Sequence, residues 1–121
     1  MKNRDRIYNM RFGDAYPYLL AKMEKKGRTK AELDQAIRWL TGYTQRQLTA
    51  RLKNDTTYEA FFNQAPDPHP ARKLITGVIC GERVEDIDDT LWQEMRYLDK
   101  LVDELARGKK MDKALRSEAS A

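Results

Sequence analysis

Four copies of one helix-start signal lie within a chain of 121 residues. Each copy is a Thr followed three residues later by Glu or Gln: Thr29 with Glu32, Thr44 with Gln47, Thr56 with Glu59, and Thr90 with Gln93. In such a capping box the Thr hydroxyl accepts a hydrogen bond from the backbone N–H three residues on, and the Glu or Gln accepts one from the Thr N–H. Apolar residues at helical spacing follow each copy. The signal predicts an all-α, single-domain orthogonal bundle of five to seven short helices with one longer helix near the C-terminus.

Three parts of the chain are predicted from composition. Residues 1–13 are expected to form a basic N-terminal arm, held down by Ile7, Tyr8, Met10 and Phe12. Residues 14–116 are expected to form the single helical domain, whose first helix is capped by Asp14 or Tyr16 and has Pro17 in its first turn. Residues 117–121 are expected to be a frayed tail.

The longest helix is predicted over about residues 89–107. Its apolar stripe recurs at helical spacing and consists of Leu91, Met95, Leu98, Leu101, Val102 and Leu105. Residues 71–81 are ambiguous, because their apolar spacing favours a buried helix while their β-branched content and Gly77 also allow a strand. We prefer the helix, since a lone strand would have no partner, and we expect Cys80 to be buried within it.

Composition narrows the classes of function. The net charge of +4 and the pI near 9.2 are modest for a nucleic-acid-binding protein. A single Cys forbids an internal disulfide, and neither a signal peptide nor a membrane-spanning stretch is found in the sequence. These features favour a cytoplasmic protein with no membrane partner.

No arrangement of residues predicts catalysis, a metal site or a cofactor. Cys80 and His69 are the only Cys and His, and Cys80 lies in an apolar run where free Cys is usually a small buried hydrophobe. One acidic cluster matches no calcium loop and is typical of the start of a helix; it consists of Glu85, Asp86, Asp88 and Asp89. We therefore expect no catalytic residue, no metal ligand and no cofactor.

Residues 31–52 have the shape of a helix-turn-helix, with Gly42 in the turn. A nucleic-acid interface built on this hairpin would use Arg28, Lys30, Arg46, Thr49 and Lys53. Two observations weigh against it. Arg38 occupies a position where a tight motif usually packs a small side chain, and the acidic Glu24, Glu32 and Asp34 interleave the same helices and dilute the positive potential.

Four segments resemble a bacterial family known as domain of unknown function 2200. They are KGRTKxELD at 26–34, IRWLTGY at 37–43, LITGVICG at 74–81 and RYLDKLVDELA at 96–106. The likeness extends from about Ile7 to Arg116. It implies a small, mostly helical bacterial protein, and it implies no activity, ligand or catalytic residue for these positions.

Three hypotheses of function follow, in this order. The first is a protein-binding or regulatory module whose partner is another protein or a second copy of the chain. The second is nucleic-acid binding through the hairpin at 31–52. An enzyme is third, because spacing alone assembles no acid–base pair and no nucleophile.

Overall fold

Seven α-helices and one short β-hairpin form the fold in the computed structural model, which describes residues 2–116. The helices are α1 Lys2–Asn9, α2 Phe12–Glu24, α3 Lys30–Thr41, α4 Gln45–Lys53, α5 Tyr58–Asn63, α6 Thr90–Ala106 and α7 Met111–Ala114. The hairpin consists of β1 Val78–Ile79 and β2 Glu82–Arg83, and short 3-10 helices cover Pro70–Leu74 and Val84–Asp86. The predicted helical single domain is confirmed. The predicted tail at 117–121 lies outside the described residues.

Two of the four predicted capping boxes start helices as expected. At α3 the Thr29 hydroxyl accepts from the Glu32 N–H at 3.2 Å, and the Glu32 carboxylate accepts from the Thr29 N–H at 3.0 Å. At α4 the Thr44 hydroxyl accepts from the Gln47 N–H at 3.1 Å, and the Gln47 side chain accepts from the Thr44 N–H at 2.9 Å. Both boxes satisfy backbone donors that a helix start leaves without a partner.

The other two caps lie one residue away from the predicted position. Helix α5 is capped by Thr57, whose hydroxyl accepts from the Ala60 N–H, because the Thr56 carbonyl pairs with the Phe12 N–H and holds residue 56 outside the helix. Helix α6 is capped by Asp89, whose carboxylate accepts from the Trp92 N–H. A carboxylate at this position also gains from the helix dipole, so Asp89 takes the cap in place of Thr90.

The N-terminal segment predicted as an arm contains helix α1, which packs against α5. Helix α2 begins at Phe12, ahead of the predicted caps Asp14 and Tyr16, so Pro17 lies inside the helix and not in its first turn. Burial explains the early start. Phe12 is fully buried, and its ring stacks on that of Phe61 with a centroid distance of 3.8 Å.

Helix α6 is the central element of the core and contacts α2, α3, α5, α7 and the hairpin. Its predicted apolar stripe is buried, except that Leu91 is only partly buried. Helix α3 likewise buries the residues at helical spacing that follow its cap, namely Leu33, Ala36, Ile37 and Leu40. None of the helices in the described part of the chain is long and apolar enough to cross a membrane.

The helix preferred for residues 71–81 is wrong. After the 3-10 helix, the chain forms the antiparallel hairpin in which Ile79 pairs with Glu82. Cys80 and Gly81 form the two-residue turn, both with positive φ, at 51° and 81°. Two positive φ values in succession give a turn whose twist matches that of antiparallel strands. Strand β1 therefore pairs with β2, which follows it directly along the chain, and Cys80 is exposed in the turn instead of buried.

The cap positions predict different costs for two neighbouring threonines. Thr57→Ala removes the hydroxyl that caps α5 and should lower the free energy of unfolding by about 1 kcal/mol. Thr56→Ala removes a hydroxyl that bonds only the Asn54 side chain at the surface, and should change it by less than about 0.5 kcal/mol. Urea unfolding followed by circular dichroism would measure both. An equal or larger cost for Thr56→Ala would contradict the assigned cap.

The hairpin predicts that Cys80 reacts in the folded protein. A thiol reagent should label it stoichiometrically in buffer without denaturant, since the side chain is exposed. Mass spectrometry before and after addition of urea would compare folded and unfolded protein. Labelling that requires urea would restore the buried helix that the sequence favours.

Candidate functional site

The turn between α3 and α4 determines where the candidate nucleic-acid residues lie. Gly42 ends α3 with φ of +82°, which favours glycine. A Cβ at residue 42 would lie 2.6 Å from the backbone nitrogen of Asp67, so the connector after α5 leaves no room for a side chain. The Asp67 N–H donates to the Thr41 carbonyl at 3.1 Å. The backbone at Asp67, in the segment that follows α5, therefore packs against the end of α3.

The same turn is fixed to the core by Tyr43. Its side chain is buried, and its hydroxyl donates to the Phe61 carbonyl on α5 at 2.7 Å. One face of α4 is buried through Leu48, and a Cβ at Gly13 of α2 would clash with the Leu52 carbonyl. Helices α2, α3 and α4 therefore contact one another pairwise, and the outer face of α4 remains at the surface.

Two of the five predicted residues are used within the fold. Arg28 donates to the Leu105 carbonyl at 2.9 Å and to Glu32 at 2.5 Å, and it also bonds the Lys109 carbonyl. Lys30 forms an ion pair with Asp34 at 2.8 Å, although its side chain stays partly exposed. These bonds tie the start of α3 to its own first turns and to the C-terminal end of α6. Arg28 and Lys30 therefore serve mainly to stabilise the fold.

The other three predicted residues lie together on α4. Arg46 and Lys53 are exposed, and neither forms an ion pair or a side-chain hydrogen bond within residues 2–116. Thr49 is partly buried, and its hydroxyl accepts from the Gln45 amide at 3.5 Å. Ala50 is exposed between the two cations. Since α4 contains no carboxylate, nothing on the helix neutralises them.

Arg46 lies in the first turn of α4, where its charge opposes the helix dipole. Backbone N–H groups make the start of a helix locally positive, so acidic residues are usually preferred there and cations are disfavoured by some tenths of a kcal/mol. The first turn of α4 carries no acidic residue. The positive charge of Arg46 is therefore not offset by an acidic residue in the first turn of its own helix.

Asp34, one of the acidic residues expected to dilute the positive potential, lies beneath this face. It is 4% exposed, and it accepts hydrogen bonds from Tyr16, Lys30 and Gln45. Burial, followed by the bond to Asp34, raises the pKa of the Tyr16 phenol above its usual value. Asp34 therefore joins α2, α3 and α4 beneath the surface. Glu32 is likewise engaged by its capping box and by Arg28.

Arg38 is exposed and does not pack between α3 and α4. Its guanidinium donates to the Asp34 carbonyl at 3.3 Å. The hairpin therefore has no need of the small side chain that a tight helix-turn-helix places there. Its packing differs from that motif, although the order of helix, glycine turn and capped helix is the same.

A cluster around Trp92 was missed by sequence reasoning. The guanidinium groups of Arg4 and Arg96 lie 4.6 Å and 4.8 Å from the indole centroid, and Glu82 accepts from the indole N–H at 2.9 Å. This bond, together with the nearby Arg96, lowers the pKa of Glu82. Tyr8 packs edge-on against the ring. No signal in the sequence joins residues that are so far apart along the chain.

An open cleft of about 480 Å³ lies beside this cluster and is lined by Arg4, Glu82 and the acidic segment at 86–89. Asp89 caps α6 and accepts a hydrogen bond from the Tyr8 hydroxyl. Burial, followed by this bond, raises the pKa of Tyr8 to about 12. Glu85 accepts from the Gly77 N–H. Within the described residues, no group of three or more acidic, His or Cys side chains is placed to hold a metal ion. The cluster serves to fasten α1 and the hairpin to α6.

His69 and Cys80 have separate surroundings. The His69 ring stacks on the Trp39 ring with a centroid distance of 4.6 Å. Its Nδ1 accepts a hydrogen bond from the Ala71 N–H at 3.0 Å. Cys80 lies in the hairpin turn, and no hydrogen bond joins the two side chains. The arrangement gives no nucleophile–base pair.

The chain is similar to one solved structure over nearly its full length. That structure, described as the crystal structure of uncharacterized protein SP1917, is 49% identical, with a TM-score of 0.87 over 93% of this chain and 92% of the other. No curated protein matches. The model of one family, described as an uncharacterized protein conserved in bacteria (domain of unknown function 2200), matches residues 6–116. The chain therefore belongs to this bacterial family.

Proposed function

We propose that the protein binds nucleic acid through the outer face of α4, with little preference for sequence. The observation that carries this proposal is the exposure of Arg46 and Lys53 without any partner in the described chain, on a helix that has no carboxylate. Unpaired cations on one rigid face are what contact with a phosphate backbone requires.

The dimensions of α4 support this proposal. An α-helix with its side chains is about 10–12 Å in diameter, which fits the width of about 12 Å of a DNA major groove, and the nine residues of α4 extend for about 13 Å. Arg46 and Lys53 are two helical turns apart, about 10 Å along the axis, so they face the same side. The small side chain of Ala50 between them allows a close approach.

Little base recognition is proposed, because the side chain best suited to it is occupied. A Gln at the start of the helix could bond an adenine edge, but the Gln45 amide already donates to Asp34 at 3.0 Å. The remaining contacts from α4 are charges, which position a protein on a duplex without reading its sequence.

A protein partner or a second copy of the chain is the other candidate. It is favoured by two exposed apolar residues, Leu74 at the end of the 3-10 helix that precedes the hairpin, with 47% exposure, and Val78 in β1, with 48% exposure. We also propose a cytoplasmic location, where the single thiol of Cys80 would stay reduced.

The nucleic-acid proposal predicts a salt dependence that α4 controls. The affinity for duplex DNA should fall with salt, with a log–log slope of about −0.9 for each phosphate contacted. Arg46→Ala/Lys53→Ala should weaken binding and reduce the slope by up to about two units. Fluorescence anisotropy with random-sequence duplexes at several salt concentrations would measure both quantities.

A matched control is the Arg6→Ala/Lys73→Ala variant. It removes one Arg and one Lys that are exposed and form no ion pair within residues 2–116, on α1 and on the 3-10 helix Pro70–Leu74. The proposal expects a smaller effect than in the α4 variant. Equal losses would mean that net charge alone drives binding, and no binding even at low salt would refute the proposal.

Self-association through the hairpin has a separate test. Light scattering after size exclusion should give the mass of two 14.2 kDa chains for the wild type and of one chain for Leu74→Asp/Val78→Asp. Burial of apolar residues such as Leu74 and Val78 would be the driving force, and one buried carboxylate at each position would oppose it. A monomer in both samples would rule out a second copy as the partner.

A further inference from the structure

A cationic pocket lies at the end of the bundle where α2 and α6 terminate. Its volume is about 410 Å³, within the range of small-molecule sites. Its lining consists of Lys22, Lys25, Lys26, Asp103, Ala106 and Arg107. Four of the six lining residues are cations. Neither α4 nor any of the five residues predicted from the sequence lines it.

Among the residues that the structure describes, Asp103 is the only carboxylate that lines the pocket. It is 8% exposed, and its oxygens lie 3.6 Å from the Lys22 nitrogen and 3.1 Å from the Arg107 guanidinium. Lys100, which does not line the pocket, lies 3.8 Å from the same carboxylate. Asp103 therefore already has more cations than it can neutralise, and it orients Lys22 and Arg107.

Lys25 and Lys26 have no such partner. Both are exposed immediately after the last residue of α2, and neither forms an ion pair or a side-chain hydrogen bond in the part of the chain that the structure describes. A cation at the end of a helix is commonly explained by the helix dipole. For this explanation to suffice, the negative charge of the helix ends and Asp103 would have to equal the positive charge of the side chains that line the pocket.

The helix dipoles do not account for the charge. The C-termini of α2 and α6 each supply roughly half a negative charge, which with Asp103 makes roughly two units. Four cations line the pocket, so an excess of roughly two positive charges remains. A phosphate monoester carries about −1.5 to −2 at neutral pH, which balances this excess.

We propose that this pocket binds the phosphate group of a small phosphorylated molecule, held by Lys25 and Lys26 together with Lys22 and Arg107. Arg107 forms an ion pair with Asp103 through Nε, and its side chain is 79% exposed, so its terminal nitrogens are accessible to phosphate oxygens. The apolar side chain of Ala106 lines the pocket and would contact an uncharged part of the ligand. The site is independent of the nucleic-acid proposal.

Isothermal titration of the full chain with pyrophosphate tests this inference. Binding of pyrophosphate is expected in the wild type, and Lys25→Ala/Lys26→Ala should weaken it at least about tenfold, which corresponds to about 1.4 kcal/mol. Both replaced side chains are exposed, so the variant should keep the circular dichroism spectrum and the melting temperature of the wild type. Arg6→Ala/Lys73→Ala, which removes two exposed cations outside both proposed sites, serves as the control and should bind pyrophosphate as the wild type does.

The possible sources of phosphate are separated by further arms of the experiment. Adenosine 5′-phosphate is expected to compete with pyrophosphate, and sedimentation with phosphatidylglycerol vesicles is expected to show no Lys25- and Lys26-dependent binding. The inference is overturned if pyrophosphate does not bind, if the lysine variant binds it unchanged, or if only vesicles bind. An equal loss of pyrophosphate binding in the Arg6→Ala/Lys73→Ala control would also overturn it, whereas absence of DNA binding would not affect it.

Discussion

The turn at Gly42 is the constraint on which the arrangement of the helices depends. The left-handed conformation of Gly42 ends α3, and the backbone of Asp67 fills the space that a side chain would need. Tyr43 then fixes the turn to α5 through its bond to the Phe61 carbonyl. A glycine, a tyrosine and a backbone contact thus determine the direction in which α4 leaves α3. Because α4 is held on its inner face only, its outer face stays at the surface.

Charge is distributed unevenly over this framework. Around Trp92 the cations Arg4 and Arg96 are paired with Glu82 and with the indole ring, so the cluster is satisfied by the protein itself. On α4 and at the joint end of α2 and α6, several cations have no partner in the described chain. Paired charges of the first kind fasten elements to one another. Unpaired cations on a fixed surface attract anions from solution, and both proposals rest on this distinction.

The sequence predicts what depends on neighbouring residues and misses what depends on distant ones. The capping boxes at Thr29 and Thr44 and the stripe of α6 are local patterns, and they are confirmed. The hairpin at 78–83 is missed because two-residue strands are too short to show a period, and because a Cys-Gly turn with both φ positive is uncommon. Among the predicted site residues, Arg28 is engaged by the Leu105 carbonyl, 77 positions away. Only the folded structure shows that Arg28 has a partner within the fold whereas Arg46 has none in the described chain.

The central claim is that the outer face of α4 is a positively charged surface available to nucleic acid. A titration of ¹⁵N-labelled protein with a duplex of about 12 base pairs, a little over one helical turn, tests it most directly. If nucleic acid binds this face, the largest amide shift changes in two-dimensional NMR spectra should fall within residues 45–53, with Arg46, Ala50 and Lys53 among them. Changes confined to the hairpin at 78–83, or no changes at low salt, would contradict it.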